Sequence, residues 1–247
     1  MDDFKQAYNE LEILMGEFAK SNGEIYVPNI VPHSPVDYIF ICMEPSLGEW
    51  AKSPEDAKNK LEAGFRNFLD GYNTMILHYA IRNYLCKNNQ GYHITDLSKG
   101  AMLVKDADDN RISRYKKWYP LLLSEMELVA SKNINVFAIG SHVANFLERQ
   151  KFPWKYTQLI HYSGNAVSHW DKAIIEHYDD FKSFQDTVTH EDLLENARDV
   201  IKSSGVPLVI SERAFGRLRR ADLTLSRRKL MFNYKLTFDA VHSINGG

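Results

Sequence analysis

Cysteine is scarce in this chain: Cys42 and Cys86 are the only two in 247 residues. Two thiols cannot make a four-cysteine zinc site or hold an iron–sulfur cluster, and one disulfide would be unusual in a reducing compartment. No apolar run approaches the ~20 residues that span a bilayer, and the polar opening MDDFKQ does not read as a signal peptide. Repeats, low-complexity tracts and Gly/Ser/Pro linkers are also missing, as are metal-ligand spacings and any Gly-rich phosphate loop. The expectation is a soluble, cytoplasmic, monomeric protein, one domain over 1–247, with no cofactor, no metal and no membrane partner.

What is present is ordinary in bulk and uneven in detail. Hydrophobic residues make up 44% and charged residues 25%, with a net charge of −2, in a chain long enough to bury a sizeable core. From Glu212 to Lys235, however, Arg213, Arg217, Arg219, Arg220, Arg227, Arg228, Lys229 and Lys235 face only Glu212 and Asp222. A near-neutral chain with one basic segment points to a local polyanion contact or to a solvated basic face.

Apolar periodicity alternates between strand and helix lengths. An amphipathic helix is expected within about 1–22, then strands at Tyr38 to Cys42, Tyr92 to Thr95, Asn135 to Ile139 and Tyr156 to His161. Between them, Ala57 to Cys86 reads as helical with a break near Asp70-Gly71, and Tyr115 to Ser131 and Ser141 to Gln150 as helices. Trp170 to Ser203 is mostly helical, and about 205–247 forms a basic C-terminal extension. Strands joined by helix-length segments imply crossovers, hence an α/β fold: a three-layer α/β/α sandwich around a central, mainly parallel four-stranded sheet. Ligand sites in such sheets lie beyond the carboxyl ends of the strands. That rule selects Glu44-Pro45-Ser46, Asp96 to Lys99, Gly140 to His142 and His161 to Gly164, all polar or small.

The series strand–CMEPS, strand–TDLSKG, strand–IGSHVANFL, strand–HYSG resembles the uracil-DNA glycosylase superfamily over about Asp37 to Ser163, roughly half the chain. Cys42 stands where that family usually has Gly, Ser46 where it has Gly, Ala or Tyr, and Tyr162 where it has the Pro of H-P-S. Asp96 stands where it has its base-reading Asn. The cysteine count excludes the cluster-bearing branches. The resemblance implies a hydrolase that flips a nucleotide out of DNA and cleaves its N-glycosidic bond, without cofactor, for base excision.

Cleavage of that bond builds positive charge on the sugar and negative charge on the base. A carboxylate near the sugar and a donor aimed at the base O2 are therefore wanted. By resemblance Glu44 takes the first role and His161 the second; the plainer alternatives are an N-cap or surface carboxylate and a structural histidine. Phe65 and Phe68, on one helical face, are candidates to stack on the base or are core. Lys99 is read as a phosphate contact or a surface lysine. Ser163 and Asn165 lie in the loop that, by resemblance, presses into the duplex, with Asn165 in place of a wedge-like leucine.

Asp96 bears on the choice of base. An Asn amide matches uracil because it accepts from N3–H and donates to O4. A carboxyl accepts from the N4 amino group of cytosine and, if burial keeps it protonated, also donates to N3. Such sites discriminate by ~10⁴-fold or more, because a mismatched partner is left buried and unpaired. Its alternative is an N-cap of the following turn. Ser46 leaves room for a substituent on C5 where the uracil-specific branch has a bulky Tyr. Both departures fit a glycosylase for a C5-modified cytosine, hydroxymethylated or glucosylated, in foreign DNA: an antiviral defence enzyme, nucleoid-associated if prokaryotic. The alternatives are a uracil-DNA glycosylase, a catalytically silent nucleic-acid-binding member of the fold, or an unrelated nucleotide-binding enzyme, against which the missing Gly-rich loop argues. In the basic segment, Arg217, Arg219, Arg220, Arg227 and Arg228 are the expected phosphate contacts.

Overall fold

The computed structural model describes residues 2–47, 50–87 and 90–245, with the side chains of 2, 102–109, 165, 173, 244 and 245 left aside. In chain order the first half runs α1 (Asp2–Ser21), β1 (Ile25–Tyr26), β2 (Val36–Cys42), β3 (Ser46–Leu47), α2 (Pro54–Glu62), α3 (Tyr72–Ala80), a π-helical turn (Ile81–Leu85), β4 (Tyr92–Asp96), β5 (Gly100–Leu103) and α4 (Val104–Val129). The second runs β6 (Ala130–Ile139), α5 (Ser141–Arg149), β7 (Tyr156–Leu159), a 3-10 turn (Gly164–Ala166), α6 (Val167–Glu176), α7 (Tyr178–Phe184), α8 (His190–Ser203), α9 (Leu208–Leu218) and α10 (Leu225–Asn245).

The four expected strands form one parallel sheet in the order β4-β2-β6-β7, flanked by helices as in a three-layer sandwich. Val36 to Cys42 is almost wholly buried, which is why it reads as a continuous apolar run rather than an alternating one. Ile39 and Ile41 of β2, with Val136 and Ala138 of β6, pack on Tyr8 of α1, Tyr115, Leu122 and Met126 of α4, and Phe146 and Leu147 of α5. Tyr38, Phe40 and Phe137 point to the other face and are equally buried, with Phe40 and Phe137 stacked at 4.8 Å. Gly140 closes β6 with φ +86°, a conformation that favours glycine, and α5 starts at the next residue.

Contacts along the chain cluster into two compact units, 1–67 with 90–158 and 68–89 with 159–247. Each is assembled from separate chain segments, so no linker along the sequence marks the division. The first unit holds the sheet and a small second sheet, β1-β5-β3, whose two-residue strands carry no period for a sequence to display. The second unit is helical: α10 packs on α3 and α6, and α3 on α8. Ser53 caps α2 ahead of Pro54, and a Thr189/Asp192 capping box opens α8.

Three expectations change. The helix read over Ala57 to Cys86 is absent from 63 to 71, where Gly64 (φ +90°) and Phe68 (φ +68°) turn the chain, so Phe65 and Phe68 share no helical face. The C-terminal segment is no extension: Leu230, Met231, Phe232, Tyr234 and Phe238 of α10 are core. Strand β7 ends at Leu159, which leaves His161 in the loop beyond it. No helix among the described residues is long and apolar enough to cross a membrane.

Candidate active site

Strands β2 and β4 end side by side, with Cys42 opposite Asp96. The pairing continues past them, Leu97 N–H donating to Cys42 O (2.9 Å) and Ser98 N–H to Met43 O (3.2 Å), which carries Glu44 onto the same rim. Asp96 is 2% exposed. Burial raises its pKa to about 7 against the pull of Lys99 and of an Asn67 hydrogen bond, and the negative charges of Glu44 and Glu125 add to the rise. The Asn67 amide donates to Asp96 Oδ2 at 3.0 Å. The amides that follow are bonded elsewhere, Leu97 and Ser98 to Cys42 O and Met43 O and Gly100 to Ser98 Oγ, so Asp96 does not cap the turn as the sequence allowed.

Glu44 is not a surface carboxylate: its side chain is 2% exposed. Arg111 Nε donates to Oε1 (3.0 Å) and the Tyr115 hydroxyl donates to Oε2. Burial and the adjacent Glu44 push the Tyr115 phenol well above its ordinary range. Arg111 and Tyr115 lie four residues apart on α4, so one helix face orients both carboxylate oxygens. The arrangement fixes a negative charge at the rim.

On the other side of β4 lies a closed ionic network. Lys99 Nζ donates to Glu125 Oε2 (2.5 Å) and Thr95 Oγ1 (2.5 Å). Glu125 also accepts from His93 Nε2 (3.0 Å), Tyr8 OH (3.0 Å) and Thr95 Oγ1 (2.7 Å). Burial alone would raise Glu125, but Lys99 and His93 hold it well below the carboxylate range. Lys99 is 2% exposed, so it is neither the phosphate contact nor the surface lysine expected from sequence.

The stacking candidates are buried. The Phe65 ring lies flat against Trp50 (4.9 Å, 7°). Phe68, in the second unit, accepts at its carbonyl from His78 Nε2 (3.1 Å); burial lowers His78 to about 4, which leaves it the neutral donor this bond needs. Ser46 opens β3 opposite Met102 and is half-buried.

In the second unit His161 accepts at Nδ1 from the Ser163 backbone N–H (3.0 Å). A neutral ring with Nδ1 accepting carries its hydrogen on Nε2. The ring stacks on Tyr162 (4.8 Å), Trp170 Nε1 donates to His161 O (3.1 Å), and the Asn73 amide donates to Tyr162 O (2.8 Å). Ser163 is half-buried at the head of the 3-10 turn; Asn165 is within that turn, and its side chain lies outside the described residues.

Three of the five expected arginine contacts are engaged within their own unit. Arg217 pairs with Asp70 (2.5 Å). Arg227 bonds Asn73 Oδ1 (3.1 Å) and Asp222 O (2.5 Å) and lies over the Tyr72 ring. Arg228 donates to the carbonyls of Gln185 and Val188. The three side chains are thus anchored within the unit while remaining partly exposed, Arg217 to 33%. Arg219 and Arg220 are exposed, Arg219 over the Phe215 ring at 4.6 Å.

The rim of the first unit thus unites Glu44 and Asp96, while His161 belongs to the second. Asn67, Arg111, Tyr115 and Asn73 escaped sequence reading; only the i, i+4 spacing of Arg111 and Tyr115 was a usable signal. A surface cavity of about 290 Å³ on the second unit, lined by Tyr79, Arg82, Glu195 and Asn196 among others, contains none of the candidates. No group of three or more His, Cys, Asp or Glu among the described residues is placed to hold a metal ion. No protein-family model matches the chain, and no curated protein matches it either.

Proposed function

We propose that this chain is a DNA N-glycosylase that removes a C5-modified cytosine. The observation that carries the reading is Asp96, a buried strand-end carboxyl poised near pH 7 beside a second carboxylate. Such a group accepts from N4–H through one oxygen and donates to N3 through the other. Against uracil, N3–H and O4 would meet the wrong partners.

In the reaction the C1′–N1 bond breaks, its electron pair leaves with the base, and water supplies its hydroxide to C1′ and its proton to the departing base. Glu44, anchored by Arg111 and Tyr115, supplies the negative charge that an oxocarbenium-like sugar needs. His161 of the second unit carries an Nε2–H of the kind that the base O2 calls for. Half-buried Ser46 is the small residue assigned to the C5 substituent.

The test uses oligonucleotides bearing uracil, cytosine, 5-hydroxymethylcytosine and its glucosylated form, with abasic-site formation as the readout. Release of a modified cytosine, lost in Glu44→Ala, is expected; release of uracil alone overturns the proposal. Asp96→Asn should transfer preference to uracil. One observation favours a second reading, a silent base-binding protein: both Glu44 oxygens already hold a donor, which leaves the carboxylate poorly disposed to take a proton from water. Duplex binding with no abasic product from any oligonucleotide would select it.

A further inference from the structure

A neutral carboxyl matches the cytosine edge in only one of its two forms. The oxygen facing N4–H must be the bare acceptor, and the other must carry the proton toward N3. Burial raises the pKa of Asp96 to about 7, which populates the neutral form at and below neutrality but does not say which oxygen holds the hydrogen. A donor aimed at one oxygen decides it.

We propose that Asn67 is that donor: by holding Asp96 Oδ2 as the acceptor it assigns the proton to Oδ1, and so acts as a positioning residue for cytosine-type recognition. The proposal rests on the glycosylase reading above. The Asn67 amide reaches Oδ2 at 3.0 Å. Its own backbone N–H donates to Pro28 O at 2.8 Å, inside the tight turn between Gly64 and Phe68, so the donor is held from the main chain. A carbonyl-type oxygen has two lone pairs, and Oδ2 can accept from Asn67 and from N4–H together.

The charged groups that bear on Asp96 are Lys99 beyond β4, Glu44 beyond β2 and Glu125 on α4. Lys99 favours the ionised form and the two glutamates disfavour it, while the Asn67 bond also favours ionisation. Asn67 therefore selects the oxygen at the expense of a somewhat lower titration midpoint. Removing it should raise the midpoint yet reduce discrimination, a pair of changes that general loosening of the site would not produce.

Two variants test this, Asn67→Ala and Asn67→Asp, the second of the same size but without the amide donor. In the DNA-free protein, carboxyl-carbon NMR, with Asp96→Asn identifying the resonance, should show the Asp96 midpoint moving upward in both. Single-turnover excision should show the preference for 5-hydroxymethylcytosine over uracil falling by up to about tenfold, the scale of one neutral hydrogen bond. The alkaline limb of the pH profile should move to higher pH at the same time. An unchanged midpoint, or an unchanged preference in a variant whose midpoint has moved, overturns the assignment. If the wild type releases no base at all, the glycosylase reading fails by itself, while the NMR titration still decides whether Asn67 governs Asp96.

Discussion

Glu125 and Asp96 are two buried carboxyl groups of the same unit, near opposite faces of β4, and they titrate in opposite directions. Glu125 meets an ammonium, an imidazole and two hydroxyl groups, and stays ionised. Asp96 meets one amide, feels Lys99 only at a distance, and has two glutamates as neighbours, so it is raised to about 7. Burial is common to both; the number of donors within reach decides the sign. One site is a finished structural ion pair, and the other is left short of partners where a ligand could supply them.

The sharpest way to break that contrast is to remove the cation. Lys99→Met leaves Glu125 buried without its counter-charge and should cost roughly 3–5 kcal/mol in denaturant unfolding. A loss below the error of the measurement would mean that the network is solvated. Asp96→Asn should behave in the opposite way. Because the folded-state pKa of Asp96 lies above its unfolded value, the stability it contributes is present below about pH 4 and lost as pH rises toward 7. The stability of Asp96→Asn relative to wild type should therefore grow by on the order of a few kcal/mol between pH 4 and pH 8. A pH-independent difference would place Asp96 among ordinary carboxylates.

Smaller effects separate structural from binding cations in the second unit. Arg228→Ala removes the donors to Gln185 O and Val188 O and should cost roughly 1–3 kcal/mol of stability without changing the salt dependence of DNA binding. Arg219→Glu with Arg220→Glu should cost no more than about 1 kcal/mol of stability, the scale of the exposed Arg219–Phe215 contact. The pair should weaken binding to all duplexes alike and lower the slope of log affinity against log salt by about 1–2.

The sheet was legible because β2, β4, β6 and β7 are apolar runs separated by helix-length segments, and the rule of strand carboxyl ends picked out the rim where Glu44 and Asp96 meet. What was not legible was pairing at a distance. Lys99 reads as a surface cation because its partner, Glu125, lies 26 residues away. Glu44 reads as an open carboxylate because Arg111 and Tyr115 come from a helix that sequence began only at Tyr115, its first turns being too charged to show a period. Phe65 and Phe68 have helical spacing, but the positive φ of Gly64 and Phe68 overrides it. The basic segment was visible as composition; which arginines find carbonyl and carboxylate partners depends on how the helices of the second unit pack. Asn67 offered no signal at all, since nothing local distinguishes it from any loop asparagine.

The imidazole of His161 is oriented by an amide of the main chain, so the chemical identity of position 163 hardly matters to it. A serine, an alanine or a bulky residue there would preserve the same hydrogen placement on the ring. Proline, which has no amide hydrogen, is the one substitution at that position that would remove this bond.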